Sequence, residues 1–599
     1  MMKKFLLVVC GSFVGVFLAL TVFVISSIIM SIAMMSLGGK MSSISAPVSD
    51  NSILHIELSG EINERAVAPA LSPMDLMSGS SIERGMALNV LVAAIEKAKE
   101  NKNIKGIYLK CNGSLAAPAT REQLRKALKQ FKQSGKWIYA YGYEGFSQGD
   151  YYIASVADSI FINPEGAIEL HGMASATPYF KKLLDNVGVK MQIIRVGTFK
   201  SAVEPYMLEN MSDANRLQQE VYMGSIWKTM LDSISADRKM TRDQLNSLAD
   251  GMILTMPADS LKLLHLVDRV IYKHEMEKAL KMLTKVDDDD DLNFVTPEEL
   301  VPNVEAEVSG DKVAILYACG EIDGSGGVMS DGTGIDTESM SREIRELQKD
   351  DDVKALVLRV NSPGGSAFGS EQMWKALDEF KKSGKPFVVS MSDYAASGGY
   401  YISSGADRIF AERTTITGSI GIFGMIPAYE GVIKNKLGVN VEVVKTNENA
   451  DMGVMGKELT PVQLAALQNM VNRGYELFTK RCADGRHVTQ DSIKHIAEGR
   501  VWDGVSALQR GLVDEIGSLD AAVKWAAKKA GLKDGKYKCQ NYPALEPSWR
   551  DMLSEYMNMQ YEAKLKKDMG VLYDYHKQLT AILGRSHVLC LMETTILTD

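Results

Sequence analysis

Ser397 has a setting suited to nucleophilic chemistry. It lies in the stretch Met391 to Gly424, after an apolar, β-branched run from Pro386 to Ser390 that reads as a buried strand. Past Ala395-Ala396-Ser397-Gly398-Gly399 the pattern turns helical through Tyr400, Tyr401 and Ile402. A serine at such a junction presents its hydroxyl where backbone N–H groups are unpaired and the helix dipole favours developing negative charge. The glycines let a substrate backbone approach closely. The same residues also suit a glycine-rich turn whose serine only caps the helix. A hydroxyl attacks poorly until a base takes its proton. Histidine is the usual base, but none lies in this stretch or around Lys200. A lysine can serve if burial lowers its pKa from ~10.4 toward ~7–8. Lys200 sits beside Phe199, Ala202 and Val203, a partly apolar neighbourhood. By spacing alone it equally suits an exposed loop, where most lysines are found.

These residues belong to a duplicated chain. Arg125 to Lys136 and Trp374 to Lys385 share the ending Lys-Ala-Leu … Phe-Lys … Ser-Gly-Lys at an offset of 249 positions. The same offset aligns Tyr151-Tyr152-Ile153 with Tyr400-Tyr401-Ile402 and Ala157-Asp158 with Ala406-Asp407. In each copy strand-like runs alternate with helical ones, which predicts α/β layering with mostly parallel strands. The copies differ where chemistry would occur. Gln148 stands where the second copy has Ser397, and Asn112-Gly113-Ser114-Leu115-Ala116 stands where it has Asn361-Ser362-Pro363-Gly364-Gly365. Conversely, the stretch from Lys445 to Met452 has no lysine where Lys200 would fall. Each half thus carries one part of a single site.

The rest of the chain sets limits. Its 599 residues exceed one ordinary domain, and with 46% hydrophobic and 24% charged residues it is globular. A net charge of −8 gives no basic face for nucleic acid. The six cysteines are scattered without a C-x-x-C, and no H-x-x-x-H occurs, so neither a metal nor a cofactor is expected. Lys3 and Lys4 precede an uncharged apolar run from Phe5 to about Leu37, longer than the ~20 residues that span a bilayer. This predicts a retained single-pass anchor with the body outside the cytoplasm. A cleaved signal peptide would have an apolar core of only ~7–15 residues. The expected organisation is an anchor at 1–37, a linker at 38–51, a first repeat at 52–286, an acidic and proline-containing linker at 287–310, a second repeat at 311–530 and a helical tail at 531–599. The five aspartates from Asp287 to Asp291 read as a solvated loop rather than a calcium site.

Residues 52 to about 530 resemble the bacterial signal peptide peptidase A family in its long, tandem-domain form. The motifs that carry the likeness are Val196-Gly-Thr-Phe-Lys200-Ser-Ala-Val-Glu-Pro205, Asn361-Ser-Pro-Gly-Gly365, Ala395-Ala-Ser397-Gly-Gly-Tyr400 and Thr417-Gly-Ser419-Ile-Gly421. The resemblance implies tandem crotonase-like domains of ββα spiral units, related to Clp proteases, and a serine–lysine dyad protease. It makes Ser397 the nucleophile, Lys200 the general base and Ser419 the residue that orients the lysine. The N–H groups of Gly364, Gly365 and Gly398 are candidates for the oxyanion hole. It further implies a homotetramer on the inner membrane, with the body on the periplasmic side, degrading signal-peptide remnants and other apolar peptides. Two other classes compete. One is a crotonase-type acyl-CoA enzyme, which would want acidic catalytic residues. The other is a membrane scaffold whose dyad is vestigial.

Overall fold

Strands that are apolar on both faces need cover on both sides, and each repeat supplies it with helices. In the computed structural model, which describes residues 48–65, 86–301, 308–322 and 334–544 and the backbone of 589–591, the first repeat opens with β1 (Ser52–Asn63), α1 (Leu88–Glu100), β2 (Ile104–Leu115), α2 (Pro118–Lys132), β3 (Trp137–Gly142), α3 (Gln148–Ala154) and β4 (Ser159–Ile162). It continues through β5 (Lys190–Arg195), the long helix α4 (Asp213–Arg238), β6 (Arg269–Val270) and β7 (Phe294–Val295). The main sheet runs β7-β1-β2-β3-β4-β6, all parallel.

The second repeat comprises β8 (Lys312–Cys319), α5 (Thr337–Lys349), β9 (Val353–Ser362), β10 (Gly364–Ser366), α6 (Ala367–Lys382), β11 (Phe387–Ala396), α7 (Gly398–Ser403), β12 (Arg408–Ala411), β13 (Ile416–Gly418), β14 (Phe423–Ala428), α8 (Pro461–Arg486), β15 (Val501–Asp503), β16 (Glu515–Ile516) and β17 (Lys538–Tyr542). Its sheet runs β15-β13-β11-β9-β8-β17, with β12 beside β11 and β16 beside β12; only β13 and β15 pair antiparallel. The duplication extends to the elements. Leu88 and Thr337 open α1 and α5, Pro118 and Ala367 open α2 and α6, and Ser159 and Arg408 open β4 and β12.

A third sheet joins the halves: β10, then β18 (Leu589–Leu591), then β14, then β5, all antiparallel. Strand β5 belongs to the first repeat and the others to the second. The cores interlock in the same way. Ala396, Ile416 and Val501 pack into the core of the first repeat, and Ile194 of β5 packs into that of the second.

A polar cluster also crosses the junction. Arg359 on β9 is 1% exposed. Its guanidinium donates to Glu64 Oε2 (2.8 Å) and Gln123 Oε1 (2.7 Å) of the first repeat and to Ser390 and Ser392 (each 2.9 Å) of the second. Arg359→Ala leaves the buried Glu64 carboxylate without its charge partner. It is expected to cost about 3–5 kcal/mol, read as a lower urea midpoint. Arg359→Met with Glu64→Leu should recover most of that loss, because an apolar pair carries no desolvation debt.

Two sequence expectations fall elsewhere. The apolar run 5–37 lies outside the described residues, and among the described residues no helix is long and apolar enough to cross a membrane. The tail expected to be helical from 531 begins with a strand instead: Lys538–Tyr542 pairs parallel with β8. The free edge of β8 offers backbone partners that outweigh the helical composition of the tail.

Candidate active site

Strand β11 delivers Ser397 to the start of α7, and the junction is bent hard. Ser397 has φ 55° and ψ −113°, a backbone region that costs a non-glycine residue about 1–3 kcal/mol. Two bonds hold it there. Its N–H donates to Gly418 O (2.8 Å), and its carbonyl accepts from Tyr401 N (2.8 Å). The hydroxyl makes no capping bond to the helix, so the serine is not a cap. It is turned toward the first repeat.

Strand β5 brings the lysine. Its pairing with β14 sets Arg195 opposite Phe423, and Val196 N donates to Ile422 O (3.0 Å). Five residues beyond β5 the chain reaches Lys200, which is 1% exposed. Its Nζ lies 2.8 Å from Ser397 Oγ, 3.1 Å from Ser419 Oγ and 3.1 Å from the Ser419 carbonyl. Ser397 is 0% and Ser419 2% exposed. The lysine is therefore no loop side chain in solvent. The three oxygens near its amine are uncharged, and desolvation of this kind penalises an ammonium.

The glycine turn closes the third side. Gly365 has φ 149°, and a Cβ there would stand 1.9 Å from Ile322 O, so no larger residue fits. Ile322 N donates to Gly364 O (2.8 Å) and Ser366 N to Ile322 O. Gly364 N donates to Ser362 Oγ at 3.2 Å. A Cβ on Gly398 would lie 3.2 Å from Gly364 Cα, so the two glycines pack backbone to backbone. As the first residue of α7, Gly398 has an N–H with no intrahelical acceptor. All six residues singled out in the sequence thus converge on one place. Alongside, the backbone of β18 lies antiparallel to β10 and bridges to Phe423 of β14. An extended chain segment thus fills the strip next to the glycine turn.

One part of the site escaped sequence reasoning. Residues 498–500 clamp the lysine and serine segments together. Phe199 N donates to Glu498 O (2.9 Å), Gly499 N to Ile420 O (2.8 Å) and Ser419 N to Arg500 O (2.7 Å). Gly499 has φ 75°, and a Cβ on it would meet Lys200 Cβ at 2.6 Å. The available signal was the repeat itself, which sets Asp250-Gly251-Met252-Ile253 against Glu498-Gly499-Arg500-Val501.

The first repeat has the same turn without the chemistry. Gln148 Oε1 accepts from His171 N (3.0 Å) and Gly172 N (2.9 Å), and its Nε2 donates to Gly172 O (3.0 Å). The Asp150 carboxylate accepts from Gly113 N (3.0 Å) and Ser114 N (3.2 Å). A fixed anion thus occupies the loop that aligns with the Ser362–Pro363 turn.

The profile of peptidase family S49 matches residues 130–287 and again 379–533. The chain is 38% identical over 489 residues to a protein of Salmonella typhi described as Protease 4, covering 79% of this chain and 76% of that one. Protease 4 of Haemophilus influenzae is 35% identical over 514 residues, covering 83% of this chain and 82% of its own. A chloroplastic serine protease of Arabidopsis thaliana, SPPA, is 29% identical over 496 residues, covering 81% and 70%.

Proposed function

Since the chain belongs to peptidase family S49, in tandem form, and is a serine protease, we propose that it works through a dyad of Ser397 and Lys200 on apolar peptides at a membrane. The observation that carries this reading is the 2.8 Å separation of Lys200 Nζ and Ser397 Oγ in a buried pocket.

In the proposed reaction the neutral amine of Lys200 takes the Ser397 proton as Oγ attacks the peptide carbonyl. The tetrahedral oxyanion forms against the N–H groups of Gly364, Gly365 and Gly398, donors fixed in advance. Lys200 then gives its proton to the leaving amine, and the peptide C–N bond breaks. Water, losing a proton to the same amine, hydrolyses the acyl-enzyme and returns Ser397 to its hydroxyl form. Ser419 Oγ, 3.1 Å from the amine, holds the lysine on line.

Substrate would bind as an added strand, a mode supported by the lie of β18 between β10 and β14. Apolar peptides left in the bilayer, such as cleaved signal peptides, are the proposed class. The basic-then-apolar N-terminus supports a single-pass anchor in the bacterial inner membrane with the body on the periplasmic side. Repeated crotonase-like units and a homotetramer complete the reading. A fluorophosphonate, which phosphonylates an activated serine, is expected to label the purified full chain at one residue. Peptide mapping should find the adduct on Ser397, and an adduct on any other serine would remove Ser397 as nucleophile.

A further inference from the structure

The pairing that builds the site is used once per chain, although the duplication supplies its parts twice. Strand β5 of the first repeat pairs with β14 of the second, from Phe423 opposite Arg195 to Ala428 opposite Lys190. Each partner has a counterpart in the other repeat. At an offset of 250, Gly188-Val189 aligns with Gly438-Val439, so β5 corresponds to residues 440–445. At 249, β14 corresponds to residues 174–179, and Pro427 falls on Pro178.

Both counterparts are open in the single chain. Every residue from 434 to 450 is exposed. Val439, Val441 and Val443 are 48%, 39% and 40% exposed, and Val444 is fully so at 101%. The sequence of 439–444, V-N-V-E-V-V, alternates like a strand. Yet among the described residues no backbone bond pairs 440–445 with another segment. Residues 175–178 likewise belong to no sheet. A bare β-branched strand of this kind is a template for association.

We propose that these two segments pair between copies of this chain. Residues 440–445 of one copy would lie antiparallel to 174–179 of the next, in the register of β5 on β14. Val443 then faces Ala176, and Val441 faces Pro178. The two surfaces differ, so the contact is heterologous, and each copy offers one of each. Such a contact closes into a ring, in which no open strand remains, or runs on as a filament. Junctions within chains and between chains alternate around the assembly. Only those within a chain carry a dyad, because between chains Gln148 faces the position of Ala450, which aligns with Lys200. The proposal rests on the copies associating, as proposed above, and gives that association its surfaces. It does not depend on the dyad.

Disulfide trapping of the full-length chain in detergent tests it. Ala176→Cys combined with Val443→Cys is expected to yield, on oxidation, a covalent ladder running beyond dimer. Neither single variant, nor the parent chain with its own cysteines, should do so. A double variant that matches the single ones, or that stops at dimer, overturns the proposal. Val441→Asp with Val443→Asp puts charge on residues that are already exposed in one chain, so the fold should survive. The mass by light scattering should fall to that of one chain, while Ser397 still takes the fluorophosphonate. An unchanged mass overturns the proposal. Mass and labelling are read separately, so an unlabelled parent chain would count against the catalytic reading and an unchanged mass against this one.

Discussion

Ser397→Ala is expected to lower kcat/KM for an apolar peptide by about 10⁴-fold or more, with the urea midpoint nearly unchanged. The size follows from the role. Without Oγ no acyl-enzyme forms, and only the donors of the glycine turn remain to favour direct attack by water. Stability should hold because Lys200 Nζ keeps Ser419 Oγ and the Ser419 carbonyl, both at 3.1 Å. The bent backbone is fixed by main-chain bonds to Gly418 and Tyr401, which alanine retains. Peptide hydrolysis and fluorophosphonate labelling should vanish together. Hydrolysis above a tenth of the parent rate would show that another group attacks.

Lys200→Met is expected to cost about 10³-fold in kcat with little change in KM, the scale of losing a general base. Methionine fills the same dry channel against Gly499, so packing survives while the amine is lost. Lys200→Arg is the sharper control. Its guanidinium keeps a positive charge and a donor near Ser397 but does not give up a proton in a protein. If the lysine only lends charge, arginine retains activity; if it accepts the serine proton, arginine is as inactive as methionine. A third variant reports on the base directly. In Lys200→Ala the emptied channel should accept methylamine from solution, and activity should return in proportion to its neutral fraction. In the parent chain the sign is the same. Activity falls as pH falls, because the ammonium form has no lone pair to accept the proton. Recovery with methylamine that is independent of pH would contradict the assignment.

Much of the site could be read from residue type and order. Serine before two glycines at a strand-to-helix step, a lysine in an apolar run and a Pro-Gly-Gly turn are local features. Each is visible because it constrains a few adjacent φ and ψ angles. The repeat offset of 249 then indicated that serine and lysine, far apart in the chain, belong to corresponding halves of one plan. The loop Glu498–Arg500 was not legible. Its work is done by carbonyls and N–H groups, which every residue possesses. Gly499 matters only because Lys200 happens to pass within 2.6 Å of where its Cβ would be. The polar seam of Arg359, Glu64 and Gln123 was equally hidden. Burial, which makes those charges consequential, is a property of packed elements and not of a single segment.

By itself, then, the sequence determined the duplication, the alternating strands and helices, and which residue types could react. The tertiary structure alone decided that they meet. Periodicity places apolar faces along one element. The distance between Ser397 and Lys200, by contrast, depends on the register of β5 against β14, strands from different repeats whose hydrogen bonds leave no trace in side-chain order. That pairing turns two ordinary residues into an amine and a hydroxyl 2.8 Å apart in a pocket closed to water.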